Sequence, residues 1–342
     1  MSKTLSSLLL SVLLAVLSFT PAQAQHLQRY EFESPHMGTL FRVVLYASGD
    51  SVARAAAHSS FERIEILDSL FSDYKENSEL SRLSSRSGTG RFIKVSAPLF
   101  EVLNKAQILA KQTGGAFDVT VGPYVKLWRE MWSDEKPRLP DKTILGKVSQ
   151  SVGYQHIKLD RSSLSVFLGQ PNMLLDLGGI AKGYAADEAL RILREFGIHS
   201  ALVDAGGDIT VGNAPPGEEG WRVSIPIYSK QGGLEYMTLR LANRAVATSG
   251  DLFRHIEIEG KRYSHIIDPH TGLGLTNRSS VTIVAPDGIT ADSYASAVSV
   301  MGPHDGIQFI EEKGHISAHV EYYENGAVLR TETADFNTLR EK

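Results

Sequence analysis

No cysteine occurs in the 342 residues of this sequence. Its absence excludes disulfide bonds, nucleophilic thiolates and thiolate metal sites, as well as anchoring through a lipid-modified cysteine. The stability of the folded protein must therefore come from its buried core. A chain of this length can bury one large core or two coupled lobes.

The sequence also lacks an excess of positive charge. Lys and Arg together number 35 against 39 Asp and Glu, which gives a formal net charge of −4. Proteins that bind nucleic acid usually carry a basic patch or stripe, so we expect no nucleic-acid partner. Any anionic ligand must be met by local groups of the protein.

Long hydrophobic runs are absent beyond the first residues. The apolar run at 5–19 is shorter than the roughly 20 residues of a membrane-spanning helix. Lys3 precedes it and Ala22-Gln23-Ala24 follows it, which is the pattern of a cleavable signal peptide. We expect residues 1–24 to be removed and the mature protein to be periplasmic, with no stable membrane insertion.

Predicted strands and helices are mixed in the rest of the chain, without the regular alternation of a doubly wound sheet. The pattern predicts an α+β fold with antiparallel-rich sheets, flanking helices and two coupled lobes. We expect one domain over 25–342, with a polar surface excursion at about 129–150. The predicted helices are 51–71, a short one capped by Ser78, 97–113, 180–197 and 290–301; the predicted strands are 30–46 around a turn at 37–39, 117–123, 173–176, 200–204, 221–227, 236–241, 245–248, 255–258 and 279–285.

The segment 174–187 joins an apolar run, a Gly-Gly pair and the start of a predicted helix. Gly178 and Gly179 allow the backbone to approach a bulky anion, and the N–H groups at a helix start favour negative charge. With Asp176 as an acceptor and Lys182 as a cation, the segment predicts a site for a nucleotide pyrophosphate. The corners at 206–207 and 249–251 are weaker signals, since a glycine corner after a strand is usually a turn.

Two further groups of residues have both a functional and a structural interpretation. Asp292 and Ser296 share one face of a predicted helix and offer hard oxygen ligands for Mg²⁺. The residues alone favour the other interpretation, in which Asp292 interacts with the helix dipole and Ser296 only packs. His265 is either a hydrogen-bonded core histidine or a proton carrier beside a phosphate.

Taken together, these segments resemble the ApbE family of FAD:protein FMN transferases. The most specific matches are Met37-Gly38-Thr39, the segment 176–184 and Asp204-Ala205-Gly206-Gly207-Asp208. The remaining matches follow in family order at 71–74, 78–81, 116–123, 127–128, 247–251, 263–272 and 290–292. The resemblance covers residues 37 to about 302, which is most of the chain.

The resemblance implies site residues. It implies FAD contacts at Met37, Tyr74, Ala116, Phe117, Asp118, Asp176, Lys182, Ile266 and Ile267. It implies Mg²⁺ ligands at Asp292 and the carbonyl of Gly179, and also at Ser296, where the family has threonine. His265 resembles a histidine near the reacting phosphate, so we expect catalytic roles for His265, Asp292 and Lys182.

The activity that the resemblance implies is cleavage of FAD at its pyrophosphate and transfer of FMN to a Thr or Ser hydroxyl of a target protein. AMP leaves, and a phosphoester links the flavin to its target. The implied targets are subunits of respiratory electron- or Na⁺-translocating complexes and periplasmic reductases. Two alternatives stay open: a pyrophosphatase that converts FAD into FMN and AMP, and a non-catalytic periplasmic FAD-binding protein.

Overall fold

The computed structural model describes residues 26–132, 138–229, 233–250 and 255–341. The predicted signal peptide at 1–24 and Asp251 of the third glycine corner lie outside the described residues. In the described part of the chain, the strands are β1 (Gln28–His36), β2 (Thr39–Ala47), β3 (Ile93–Lys94), β4 (Ile157–Asp160), β5 (Ser165–Leu168), β6 (Ala201–Ala205), β7 (Ile209–Val211), β8 (Trp221–Tyr228), β9 (Leu234–Leu241), β10 (Arg244–Gly250), β11 (His255–Ile258), β12 (Lys261–Ser264), β13 (Ser279–Ala285), β14 (Ser317–Glu324) and β15 (Ala327–Glu332).

The described part of the chain also forms α-helices, which are interspersed among the strands along the sequence. They are α1 (Asp50–Phe71), α2 (Glu79–Ser84), α3 (Ala97–Gln112), α4 (Gly122–Trp132), α5 (Lys142–Val148), α6 (Ala181–Glu195), α7 (Gly288–Met301) and α8 (Pro303–Glu311). Short 3₁₀ turns occur at Val119–Val121, Ser149–Ser151, Tyr154–His156 and Phe336–Leu339. Ser78 caps α2 by accepting a hydrogen bond from Ser81 N, as predicted.

An eight-stranded sheet organises the molecule, with the strand order β1-β2-β6-β7-β10-β13-β14-β15. Every neighbouring pair in it is antiparallel. Alternate residues of its strands are buried on opposite faces, because successive side chains of a strand point to opposite sides. Val43 belongs to the main hydrophobic cluster on the helical face, and Val44 belongs to a second cluster on the other face.

Helices cover one face of this sheet. Helix α1 packs against α6, α6 against α7, and α7 against β10 and β13. Hairpin β8–β9 and the 3₁₀ turn at Phe336–Leu339 contribute to the cluster on the opposite face. A third cluster joins α4 and α5 to hairpin β11–β12. The sheet therefore supports α6 and α7 side by side.

Two predicted strands are wrong. The segment 117–123 forms a 3₁₀ turn and the start of α4, because Asp118 accepts a hydrogen bond from Thr120 N and so turns the chain. The segment 173–176 has Met173 and Leu175 buried, but it belongs to no strand ladder. Its N–H groups bond instead to a side chain and a loop, from Leu175 to Ser84 Oγ and from Asp176 to the carbonyl of Val119.

The region of the expected surface excursion has two parts. Residues 129–132 are the last turn of α4 and are not a loop, whereas α5 has no buried residue. The α+β class with antiparallel sheets is confirmed, and the division into two lobes stays a prediction. Among the described residues, no helix is both long and apolar enough to cross a membrane.

Candidate functional site

A cleft of about 530 Å³ lies among α4, α6, α7 and the loops around them. Its volume is within the usual range for small-molecule sites, roughly 300–1,000 Å³. The residues that the sequence analysis assigned to FAD, to the metal or to catalysis all line this cleft: Met37, Tyr74, Ala116, Phe117, Asp118, Asp176, Gly179, Lys182, His265, Ile266, Ile267, Asp292 and Ser296. The structure therefore brings together side chains from widely separated segments.

Met37 reaches the cleft from the tip of hairpin β1–β2. His36 pairs with Thr39 across a two-residue turn, in which φ is 49° at Met37 and 73° at Gly38. Two positive φ angles are what a type I′ hairpin turn requires, although the first is unfavourable for a residue with a side chain. Met37 also packs against the main hydrophobic cluster, which helps to hold it in this conformation.

Backbone N–H groups at the start of α6 make hydrogen bonds to other groups of the protein. The N–H groups of Ile180 and Ala181 both donate to the carbonyl of Leu177, and Gly183 N donates to Asp292 Oδ2 at 3.1 Å. The prediction that this helix start offers free N–H groups to an anion is therefore wrong for these three residues. The turn before the helix and the carboxylate of α7 already accept their hydrogen bonds.

Lys182, Asp208 and Asp292 form a charged group in the cleft. Lys182 Nζ donates to Asp208 Oδ2. Burial lowers the pKa of Lys182, but the nearby carboxylates of Asp208 and Asp292 outweigh this effect and place it above its usual range. Burial, followed by repulsion from Asp208, raises the pKa of Asp292 to about 7. Asp292 is thus an acid whose ionisation an added cation would favour.

Gly179, Asp292 and Ser296, which offer three kinds of oxygen donor, line the same part of the cleft. A Cβ added to Gly179 would lie 2.7 Å from Ser296 Oγ, so the backbone of residue 179 is in direct contact with α7. Asp292 lies one turn earlier than Ser296 on the same face of that helix. Carboxylate, hydroxyl and carbonyl oxygens suit Mg²⁺ when water and phosphate complete its coordination. The residues present therefore fit this ion.

This set of oxygen donors differs from a metal site in which several side chains surround the ion. Within the described ranges, no group of three or more His, Cys, Asp or Glu side chains could hold a metal ion. Asp292 is the carboxylate of the set and is buried, 5% exposed. An ion bound here would need oxygens from water or from the substrate as well as those of the protein.

Arg129, in the last turn of α4, connects three groups at the rim of the cleft. Its guanidinium donates to Asp73 and to Asp176 Oδ2, the latter at 3.3 Å, and lies 4.0 Å from the ring centroid of Tyr74. Asp176 Oδ1 accepts a hydrogen bond from Gly178 N at 2.7 Å. Burial, followed by repulsion from Asp73, raises the pKa of Asp176. Tyr74, which is 70% exposed, is thus held beside the cleft by its contact with Arg129.

The sequence analysis missed Arg129. It stands at the start of the polar segment that we interpreted as a surface excursion, next to the buried Trp128. Tyr124 and Trp128 are buried four residues apart, which is the spacing of one helix face, and this signal indicates a helix that continues to Arg129.

The loop after β12 carries His265, Ile266 and Ile267 along the cleft. Ile267 is buried and pairs with Gly274 in an isolated bridge, whereas His265 is exposed. Trp128 Nε1 donates to the carbonyl of Gly272 at 2.9 Å, which ties this loop to α4. The loop therefore combines an apolar wall with a histidine that solvent and ligands can reach.

Asp118 holds the loop on which Ala116 and Phe117 lie. Its carboxylate accepts hydrogen bonds from Thr120 N, Thr120 Oγ1 and Tyr154 N, at 2.8, 2.7 and 2.7 Å. Burial raises the pKa of Asp118. Because its oxygens already accept these bonds, Asp118 contributes to the cleft mainly by fixing the position of its neighbours.

Negative side chains outnumber positive ones on the described wall of the cleft, which is unusual for a site that would bind a pyrophosphate. The carboxylates on the described wall are those of Asp73, Asp118, Asp176, Asp208 and Asp292, and its permanent cations are Arg129 and Lys182. Both cations are already paired with carboxylates. A polyanionic ligand would therefore need additional positive charge to bind here.

Comparison with known proteins identifies the family of the chain. The sequence model of the ApbE family matches residues 37–320. The chain belongs to the ApbE family. The matched region begins at Met37 and contains every residue that lines the cleft, whereas β15 lies beyond it.

Individual ApbE relatives match over most of their length. The chain is 32% identical to the FAD:protein FMN transferase of Vibrio cholerae serotype O1 over 305 residues, covering 89% of each chain. It is 31% identical to that of Klebsiella pneumoniae over 283 residues, 81% of this chain and 80% of the other. The solved flavin transferase ApbE from Vibrio cholerae superposes with a TM-score of 0.83 at 27% identity, covering 92% of this chain and 99% of the other. The apo form of the Pseudomonas stutzeri flavinyl transferase ApbE gives 0.82 at 26% identity, covering 92% and 97%.

Proposed function

We propose that this ApbE protein transfers FMN from FAD to a Thr or Ser hydroxyl of target proteins in a Mg²⁺-dependent reaction that releases AMP. The observation that carries the proposal is the oxygen set of Gly179, Asp292 and Ser296 beside Lys182, in an otherwise acidic cleft. Relatives that match over most of the chain are named FAD:protein FMN transferases, which supports the same reaction.

Gly179, through its carbonyl, and the side chains of Asp292 and Ser296 would hold the ion. When bound, Mg²⁺ supplies positive charge that neutralises the pyrophosphate oxygens. Lys182 lines the same cleft and would stabilise the negative charge that develops on the AMP phosphate. Asp208 keeps the Lys182 ammonium in this position.

At the FMN phosphorus, the transfer forms one bond and breaks one. The acceptor hydroxyl oxygen attacks the FMN phosphorus, and the bond from that phosphorus to the bridging oxygen breaks, so that its electron pair leaves with AMP. His265 takes the proton of the acceptor hydroxyl as general base. Its exposed position on the cleft wall gives an incoming protein segment access to it.

Apolar and aromatic side chains bind the flavin part of the substrate. Tyr74 offers a ring face for stacking against the isoalloxazine, which gains buried area as well as a favourable ring geometry. Met37, Phe117 and Ile267 add apolar surface to the same cleft. FAD therefore binds with its rings among these residues and its pyrophosphate toward α6 and α7.

The place of action follows from residues 1–24 and from the reaction. The signal peptide exports the chain to the periplasm, where it meets the exposed parts of its targets by diffusion. Subunits of respiratory electron- or Na⁺-translocating complexes and periplasmic reductases are the proposed acceptors.

Replacement of Asp292 tests the proposal. The mature protein is incubated with FAD, Mg²⁺ and an acceptor protein, and mass spectrometry measures the added FMN. We expect Asp292→Ala to reduce transfer by roughly 100-fold or more, because it removes a group that stabilises the transferring phosphate. Asp305→Asn, an exposed carboxylate of α8, serves as the control and should leave the rate unchanged.

The same assay separates the alternatives. Full activity of Asp292→Ala, or of the unmodified protein in EDTA, would contradict the metal assignment. Release of FMN without an acceptor identifies a pyrophosphatase, and unchanged FAD after long incubation with Mg²⁺ identifies a binding protein.

A further inference from the structure

Asp187 of α6 makes a set of hydrogen bonds that the proposed reaction does not use. Its Oδ1 accepts from Gly288 N at 2.7 Å and from Thr210 Oγ1 at 3.1 Å, and its Oδ2 accepts from Ile289 N at 2.9 Å. Gly288 and Ile289 are the first residues of α7, 101 and 102 positions away in the sequence. One carboxylate thus binds two N–H groups at the start of another helix.

A second carboxylate makes the opposite connection. Asp292 of α7 accepts a hydrogen bond from Gly183 N of α6 at 3.1 Å. Asp187 lies four residues after Gly183, and Asp292 lies four residues after Gly288, so each pair shares a helix face. The two helices are therefore joined by reciprocal bonds, each from a carboxylate of one helix to backbone N–H of the other.

The helices touch between these two bonds, where both carry glycine. A Cβ added to Gly183 would lie 2.1 Å from the carbonyl oxygen of Gly288, and one added to Gly288 would lie 2.5 Å from the carbonyl oxygen of Gly183. The contact is thus one of backbone against backbone. The two carboxylates bond across this contact and so help to fix how α7 is placed along and around α6.

Asp187 differs in this respect from the ordinary cap of α7. Asp287, the residue before the helix, accepts a hydrogen bond from Thr290 N at 2.9 Å. That bond lies within one segment and stabilises the helix end without fixing its position. Asp187 reaches the same helix end from α6, the helix that carries Lys182 and begins two residues after Gly179. Burial raises the pKa of Asp187 to about 6, so it is mostly ionised above neutral pH.

We infer that Asp187 is a positioning residue of the phosphate and metal site, which acts by holding α7 so that Asp292 and Ser296 face Gly179 and Lys182. The inference rests on the proposed function, in which those groups bind Mg²⁺ and the pyrophosphate. A shift of α7 changes the distances among the oxygen donors, and an ion with strict geometric demands loses affinity. Residues that orient metal ligands typically change metal affinity by about 10-fold to 100-fold when they are replaced.

The test compares Asp187→Asn with Asp287→Asn in the FAD-loaded mature protein at pH 8. Electron paramagnetic resonance measures the binding of Mn²⁺ as a probe of the site, and the transfer assay gives the Mg²⁺ concentration for half-maximal rate. We expect Asp187→Asn to weaken Mn²⁺ binding and raise that Mg²⁺ concentration by about 10-fold, while the rate at saturating Mg²⁺ recovers to within about threefold. Asp287→Asn should change either constant by less than about twofold, although it also weakens the start of α7.

Thr210→Val provides a milder second variant, since it removes only the hydroxyl that bonds to Asp187. It should shift both metal constants in the same direction by a smaller factor. A residue that only stabilises the fold would instead lower the rate at every Mg²⁺ concentration and leave the half-maximal concentration unchanged.

The outcomes distinguish the two proposals. If the unmodified protein binds no Mn²⁺ and transfers FMN without a metal, the metal assignment fails and the role of Asp187 fails with it. If it binds Mn²⁺ and Asp187→Asn binds it equally well, or Asp287→Asn shifts binding as much, only the role of Asp187 is overturned.

Discussion

The side chain of Arg129 contacts three groups at the rim of the cleft and so holds them next to one another. Its guanidinium bonds to Asp73 and Asp176 and lies over the ring of Tyr74. A planar guanidinium can do all of this at once, because its donors lie in the plane and its face stacks on the ring. No local sequence pattern identifies such a residue, since its partners come from two other segments.

We predict that Arg129→Gln raises the KM for FAD about 5-fold to 10-fold and leaves kcat within about twofold. The variant loses a cation–π contact, worth roughly 0.5–2 kcal/mol, at the rim that we propose contacts the flavin ring and not the transferring phosphate. Steady-state kinetics and the quenching of FAD fluorescence measure the two effects. Arg129→Lys keeps the charge without the planar fork and should give an intermediate KM.

Arg54→Gln is the matched control for this prediction. Arg54 also bonds to a carboxylate, Asp50, and lies 5.9 Å from the ring centroid of Phe32, but it is an exposed residue of α1. It should leave the KM for FAD unchanged. Equal KM values for Arg129→Gln and the unmodified protein would show that the rim does not help to bind the flavin.

At the scale of elements, the crossing of α6 and α7 is the contact on which the site depends. Gly183 and Gly288 allow the two backbones to touch, and Asp187 and Asp292 bond across the contact. The sheet supports both helices, because α6 packs on β6 and α7 on β10 and β13. The geometry of the site is therefore set by helix packing and not by a flexible loop.

We predict that Gly183→Ala destabilises the protein by about 1–3 kcal/mol and lowers the transfer rate of the folded fraction. The added Cβ would meet the carbonyl oxygen of Gly288 at 2.1 Å, and overpacking of this kind forces the backbone to move. Urea unfolding and the assay at saturating FAD measure the two effects. Gly146→Ala in α5 has no atom within 4 Å of its new Cβ and should be neutral or stabilising. A Gly183→Ala protein as stable and active as the unmodified one would contradict the close packing.

The elements differ in how far the sequence could predict them. Helix α1 and the strands around Met37 were predicted because apolar residues recur at helical or alternating spacing. The segments 117–123 and 173–176 look like strands by the same criterion, yet neither has a neighbouring strand to pair with. The resemblance to the ApbE family implied the FAD contacts and metal ligands, and those residues all line the cleft. The contacts of Asp187 could not be predicted, since its partners lie about a hundred positions away.

At the scale of the whole molecule, the sheet is covered on both faces. A buried carboxylate on β14 holds the edge formed by β14 and β15. Glu321 of β14 is fully buried; its carboxylate accepts hydrogen bonds from Tyr228 N and from Arg330 Nε, both at 2.6 Å. Arg330 donates in turn to the carbonyl of Tyr228 at 2.5 Å. These bonds connect β14 and β15 to the hairpin β8–β9, on the side of the sheet opposite to the helices.

We predict that Glu321→Gln lowers the free energy of unfolding by about 2 kcal/mol or more, because charged hydrogen bonds are lost and buried donors are left poorly paired. None of the groups that Glu321 binds lines the cleft, so the KM for FAD should not change. Glu324→Gln, at the exposed end of the same strand, should have little effect on stability. A Glu321→Gln protein with normal stability, or with an altered KM, would contradict this separation of roles.

The distance in sequence between the two halves of the site also has a consequence for protein synthesis. Gly183 and Asp292, which bond to each other, are 109 positions apart, and α7 follows all the strands except β14 and β15. A nascent chain that ends before residue 288 already contains Arg129 and its partners at the rim of the cleft, but it lacks Asp292 and Ser296, the side chains proposed to hold the metal. The order of translation therefore leaves the proposed phosphate and metal site incomplete until the chain is nearly finished.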